Sequence, residues 1–211
     1  MKANGAKSGE LFTIGHSNFE LGDFLAMLQR HAVQILCDVR SRPGSYRCPQ
    51  FNREPLEECV RTAGIRYEFC GEVLGGRPED PRAYFSDGRV NYEQRRKARD
   101  FQGEVERLLK LAEIGGLALM CAEEDPLQCH RFLMICPAFV ERGITPWHIR
   151  RGGELESQHD AEDRLLKLHD LSAFSGNSLF PTERHAAVAD ALRRQAQDFA
   201  FRTSPESIEY F

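Results

Sequence analysis

The sequence predicts an α/β domain built on a mainly parallel, doubly wound sheet of about five strands, with flanking helices and a helical C-terminal extension. Two observations carry this reading. Short apolar runs of strand length alternate with longer stretches whose apolar residues recur at helical spacing, and that alternation calls for right-handed strand–helix–strand crossovers. The runs at 33–39 and 116–120 are almost without polar interruption, as strands covered on both faces are.

Taken in order, a polar lead of residues 1–10 has no apolar core, so it is expected to be disordered and not a signal peptide. The first strand, Leu11 to Gly15, ends at a glycine. Ser17 stands three residues before Glu20 in a capping-box pattern, and Phe24, Leu25 and Leu28 follow at helical spacing. The second strand runs out at Asp38 and Val39 into a loop dense in turn residues and positive charge, Arg40 to Arg47. Asn52 is expected to cap the next helix, whose inner face is Leu56, Cys59, Val60 and Ala63. Residues 65–70 make the third strand. The long connection 71–90 carries Gly75-Gly76, and a connection of that length is usually functional or mobile.

Asn91 and Gln94 open a further helix that reaches Gly115, and residues 116–121 form the fourth strand. Asp125, Pro126 and Gln128 fit cap, first and third helical positions. Pro137, inside that helix, removes the hydrogen bond to Leu133 and is expected to kink it. Residues 145–150 form a fifth strand with the sole tryptophan, Trp147. The whole is Rossmann-like over residues 11–171. Residues 172–211 read as a Ser/Gly/Asn/Pro linker and a separate amphipathic helix, suited to a homodimer or protein partner.

The chain has 211 residues, 41% of them apolar and 28% charged, which is enough for a proper core. Its net charge of −4 gives no whole-chain support for nucleic-acid backbone binding, although a local basic patch is compatible with it. No stretch approaches the ~18 apolar residues of a membrane span. Seven cysteines, an odd number, without a secretion signal indicate reduced thiols and a cytoplasmic protein. Cys59 and Cys136 fall on apolar helix faces, and Cys37 and Cys70 in strand-like runs. Neither a P-loop nor a Gly-x-Gly-x-x-Gly turn is present, and the Cys-x5-Arg phosphatase loop is also missing.

Parallel strands present their C-terminal ends on one edge, so three polar clusters should face one crevice: Gly15 to Asn18, Asp38 to the Arg-rich loop, and Cys121 to Arg131. Cys129, expected in the first turn of its helix, is a candidate nucleophile because exposed N–H groups and neighbouring His130 and Arg131 favour a thiolate. Glu123 is the best-placed general acid or base, and His16 a candidate proton shuttle. Asp38 and Arg40 are expected on opposite faces of the strand end, with at most one at the crevice centre. Arg40, Arg42 and Arg47 suit a clamp on an anionic group. Ser17, Asn18, Ser45, Gly75, Gly76 and Arg131 complete the positions assigned to substrate binding, though Ser17 is also explained as a cap and Gly75-Gly76 as a turn. Cys121, Cys129 and His130 offer a divalent-metal site, at a spacing unlike the common zinc motifs.

Thr13-Ile14-Gly15-His16-Ser17-Asn18, Asp38-Val39-Arg40 with Pro43 and Ser45, Leu74-Gly75-Gly76, and Cys121-Ala122-Glu123 through Pro126 to Cys129-His130-Arg131 together resemble the domain-of-unknown-function 488 family over roughly residues 11–160. The resemblance implies a compact bacterial or archaeal α/β domain and no agreed activity; the tail after about residue 172 lies outside the usual pattern. The residues themselves favour a small enzyme, a hydrolase or transferase, acting on an anionic nucleotide, nucleobase or nucleic-acid fragment. A metal-containing protein and a non-enzymatic nucleic-acid or protein binder are the rival readings.

Overall fold

The computed structural model describes residues 9–176 and 181–203. Most of the polar lead, part of the expected linker and the last eight residues therefore lie outside the described residues. The strands are β1 (Leu11–Gly15), β2 (Val33–Asp38), β3 (Arg66–Phe69), β4 (Gly116–Cys121), β5 (Trp147–Ile149) and β6 (Leu155–Ser157). They form one sheet in the order β3-β2-β4-β1-β5-β6, parallel throughout except that β6 runs antiparallel to β5. The sixth strand is the one the sequence reading missed. It is three residues long and returns through Gly152-Gly153, too short for any alternation to register.

Helices cover both faces, as the doubly wound reading requires. On one face α1 (Leu21–Arg30) and α2 (Arg53–Thr62) supply Phe24, Leu28, Leu56 and Val60 against Phe12, Ile14, Leu36, Ala118 and Met120. On the other, α5 (Arg99–Ala112), α6 (Cys136–Val140), α7 (Gln158–Leu168) and α8 (Pro181–Phe199) pack on Leu11, Cys37, Val39, Leu117, Leu119 and Cys121. β4 thus divides its side chains between the two cores residue by residue, which is why all six of its residues are buried. The C-terminal α8 belongs to the second core: Ala187 and Ala191 are buried there, and Gln195 Nε2 donates to the Leu127 carbonyl at 3.0 Å. No helix among the described residues is long and apolar enough to cross a membrane.

Three local expectations change. Ser17 does not cap α1: it sits in a left-handed turn at φ 46, its N–H bonds the Ala122 carbonyl, and the helix begins four residues later at Leu21. Asn52 occupies the cap position of α2, but its Oδ1 accepts from the Ser45 N–H at 2.7 Å and so ties down the Arg-rich loop. Cys59 is only half-buried. The helix expected from Asn91 to Gly115 is two, the short α4 (Tyr92–Arg96) and α5. Asn91 does cap α4, accepting from Gln94 N–H at 3.0 Å, and Arg95 bridges the break to Asp100 at 2.8 Å. The strain of Pro137 is absorbed just upstream, where Arg131–Ile135 winds as a π-helix and Cys136 N–H reaches the Arg131 carbonyl. Within the long connection lie the single-turn α3 (Gly71–Leu74) and a 3-10 turn at Pro81–Ala83.

Topology gathers the polar strand ends on one edge. From β1 the chain crosses to β2 and β3 over one face, then returns over the opposite face through α5 to lay β4 between β2 and β1. The crossover direction therefore switches at the C-terminal ends of β2, β4 and β1, the usual position for a crevice in such sheets. Gly15 closes this edge, since a Cβ there would overlap the Glu123 carbonyl oxygen. Gly15→Ala is expected to cost at least about 3 kcal/mol, the upper end of ordinary overpacking. Gly22→Ala in α1, with nothing near its Cβ, should instead stabilise by about 0.4–1 kcal/mol. Urea midpoints measure both, and a Gly15→Ala midpoint equal to wild type would refute the close approach.

Candidate functional site

The apolar run of β4 delivers Cys121 to the sheet edge, and the turn after it is pinned from several sides. Asp125 caps the 3-10 turn Pro126–Gln128, accepting from Leu127 N–H at 3.1 Å, and pairs with Arg164 at 2.8 Å. Cys129 then has an extended backbone, φ −135 and ψ 141, while its carbonyl already accepts from Phe132 and Leu133 N–H. It is therefore the cap of the following helix and not, as expected, a residue of its first turn. Its Sγ takes the cap role, receiving the Arg131 N–H at 3.4 Å.

His130 Nε2 lies 2.9 Å from the Val39 carbonyl, and because a carbonyl only accepts, Nε2 carries the proton. That leaves Nδ1 facing Cys121 Sγ at 3.6 Å and Cys129 Sγ at 3.8 Å. The three ligand-type atoms all lie within 4.8 Å of one another, so this set is the one that can hold a metal among the described residues. Glu123 Oε2 accepts from Cys121 Sγ at 3.0 Å, while the residue as a whole is exposed at the rim.

Charge in this cluster is shared. Burial opposes ionising Cys129, but the adjacent Cys121, then Arg131 and His130, outweigh it and bring its thiol well below the ordinary value. Cys121 moves the other way, raised by burial and by the neighbouring Cys129. Burial disfavours a charged His130, yet the Cys129 charge raises it on balance. Glu123 is raised by desolvation of the oxygen turned inward and by Cys129.

A second cluster lies on the other face of the same edge. Arg40 grips Asp38 with two bonds, Nε to Oδ1 at 2.9 Å and Nη2 to Oδ2 at 2.6 Å. The two were expected on opposite faces; residues two apart in an extended segment share a face, and they do. Arg40 Nη1 donates to His16 Nε2 at 3.0 Å, so His16 must carry its proton on Nδ1, which donates to the Ser17 carbonyl at 2.8 Å. The ring stacks on Phe51 at 4.4 Å, and burial with the adjacent Arg40 charge lowers its pKa to about 4. Tyr67 completes the cluster, donating to Asp38 Oδ2 at 2.8 Å.

The single expected crevice thus resolves into two clusters, Cys121/Glu123/Cys129/His130 and His16/Asp38/Arg40/Tyr67. Backbone joins them: His16 N–H donates to the Cys121 carbonyl at 2.9 Å, and Val39 lends its carbonyl to His130. Gly75 and Gly76 are close-approach residues. A Cβ on Gly75 would meet Ser41 and the Gly71 carbonyl, and one on Gly76 would lie 3.0 Å from the His130 ring. Ser45 serves its own loop, its Oγ accepting from Arg47 N–H at 3.1 Å, while Arg42 and Arg47 project into solvent. Asn18 Oδ1 accepts from Arg151 at 3.0 Å.

Arg131 is fully buried and holds the β4 turn, donating to the Glu123 carbonyl at 2.5 Å and the Glu124 carbonyl at 2.7 Å. Its Nε reaches Thr13 Oγ1 at 3.3 Å, and Thr13 in turn meets His148 Nδ1 at 2.8 Å, whose Nε2 donates to Gln158 Oε1 at 3.1 Å. Sequence reasoning gave no role to Thr13, which it named only within a family motif, and missed His148 and Tyr67. A threonine and a histidine inside otherwise apolar strands were the available signals for the first two, and Tyr67 offered none.

Residues 20–135 match the model of the family described as a domain of unknown function, DUF488. The chain belongs to this family. The match takes in Asp38, Arg40, Gly75, Gly76 and the whole Cys121–Arg131 segment, and stops short of His16 in β1's turn. No curated protein and no solved structure matches the chain.

Two histidines of this DUF488 domain make its stability pH-dependent. His148, pushed down to about 3 chiefly by burial, joins His16 in refusing a proton that the unfolded chain accepts near pH 6.5. Where the unfolded state binds more protons, stability rises with pH. Stability should therefore be full above pH 6.5 and fall as pH drops from 6.5 toward 4 and then 3. NMR titration should show both imidazoles neutral down to pH 5; a His16 resonance shifting near pH 6.5 would contradict the Arg40 contact.

Proposed function

We propose that the protein is an enzyme of the hydrolase or transferase class, acting on an anionic substrate with Glu123 as the proton-transfer group. One observation carries this reading. The Glu123 carboxyl stands at the boundary between solvent and the buried sulfur–imidazole cluster, with one oxygen bonded to Cys121 Sγ at 3.0 Å. Its raised pKa, from desolvation and the neighbouring Cys129, brings a carboxyl toward the range where it both takes and gives protons.

Glu123 fits the reacting role better than Cys129. The Cys129 residue is 1% exposed and its sulfur already caps a helix, so a substrate atom reaches Glu123 first. Support for an anionic substrate comes from the loop after β2, on the same sheet edge. There Arg42 and Arg47 are exposed on either side of Tyr46, whose side chain is wholly in solvent. Guanidinium groups beside a free aromatic ring suit a phosphate and a nucleobase together, which favours a nucleotide or nucleic-acid fragment.

Turnover screened over nucleotides, nucleosides and short single-stranded oligonucleotides tests the reading. Glu123→Gln should lower kcat by about 10²–10⁴-fold, the usual weight of a general acid or base. Arg42→Ala with Arg47→Ala should raise KM and leave kcat nearly unchanged. A Glu123→Gln protein with undiminished turnover on a substrate the wild type accepts would end this account.

A further inference from the structure

We infer that Cys121 Sγ, Cys129 Sγ and His130 Nδ1 form a three-ligand site for a tetrahedral transition-metal ion, zinc by its donor chemistry, with the fourth position open toward Glu123. The spacing of the donors is the first reason. A tetrahedral zinc with bonds of about 2.3 Å to sulfur and about 2.0–2.1 Å to nitrogen places sulfur and nitrogen about 3.6 Å apart. The two observed separations are 3.6 and 3.8 Å.

The orientation of His130 is the second reason. Its Nε2–H is fixed on the Val39 carbonyl, which is the outer-shell arrangement that aims the other nitrogen of a metal-bound histidine. One lone pair on Nδ1 then faces two sulfurs at nearly equal distance. A hydrogen bond satisfies only one of them, and the Cys121 thiol is already directed at Glu123. An ion at the shared focus satisfies both. Gly76 approaches His130 so closely that a Cβ there would lie 3.0 Å from the ring, and the Arg131 N–H holds Cys129 Sγ, so two of the three ligands are oriented by groups outside the donor set.

Donor type selects the metal. Two thiolates and an imidazole favour zinc over magnesium or calcium, which take oxygen ligands. Three protein ligands with a fourth position free is the pattern of zinc sites that hold a water or substrate. Glu123 stands beside that position as a fourth ligand or as the partner of a bound water.

Full-length protein purified without chelator should contain one zinc per chain by elemental analysis, and the chelator-stripped protein should regain it on titration, with a higher Tm. Cys121→Ser, Cys129→Ser and His130→Ala should each weaken zinc binding by at least about 100-fold. Because these variants can fail to fold, the wild type supplies two further readings. Cobalt(II) loading should give a thiolate-to-metal charge-transfer band with intense visible absorption, and zinc should slow alkylation of Cys121 and Cys129 without protecting half-buried Cys48 and Cys59. Folded wild-type protein that takes up no stoichiometric zinc, or a cobalt spectrum lacking the charge-transfer band, overturns the site. Occupancy is read without any substrate, so its failure and that of the Glu123 reading are separate results.

Discussion

Arg131 carries its charge in the interior of the molecule, and the arrangement of the site follows from how that charge is accommodated. Its guanidinium is held by the carbonyls of Glu123 and Glu124 and by the Thr13 hydroxyl, all neutral oxygens. Leaving such a cation buried and unpaired is costly, so the three oxygens must stay in place. They belong to the turn after β4 and to β1, while Arg131 itself opens the helix that follows. The side chain therefore fixes strand, turn and helix relative to one another. From the same segment, the Arg131 charge also helps to lower the pKa of the Cys129 thiol.

The same constraint explains why the turn is tight. Glu123's carbonyl, drawn inward to meet Arg131, occupies the space where a side chain on Gly15 would go. β1 can then lie beside β4 in register to its last residue, Gly15 against Cys121. His16 follows directly, and the backbone bond from His16 to the Cys121 carbonyl carries the sheet pattern one step past the strand. Two clusters of different chemistry end up back to back across one sheet edge. On one face a salt bridge, a neutral imidazole and a tyrosine satisfy each other completely. On the other, sulfur and imidazole converge with a carboxylate at the solvent boundary. The first arrangement is closed on itself; the second reaches solvent through Glu123.

Much of this was legible in the chain. The five-residue apolar run into Cys121, the Asp125-Pro126 cap and the polar residues after each strand marked the sheet edge where the polar side chains gather. The alternation of elements predicted the doubly wound class, and Asn91 and Asp125 cap where their side chains said they would. Short elements were not legible: β6 and α3 are three and four residues long, below the length at which periodicity carries information. The capping-box pattern at Ser17 and Glu20 failed because a tertiary bond to the Ala122 carbonyl claimed the Ser17 backbone first. The Cys-x7-Cys-His spacing did not reveal that the three side chains meet. An intervening 3-10 turn folds Cys129 back beside Cys121.

By itself, then, the sequence determined the class of fold, the edge that bears the polar groups and the identity of those groups, because hydrophobic period and turn chemistry are local properties. Which of the groups meet was decided only by tertiary structure. The placement of β4 between β1 and β2 set Asp38, Arg40 and His16 on one face and Cys121 with His130 on the other. Strand order and the face of a side chain depend on contacts between segments far apart in the chain, and no local pattern encodes them.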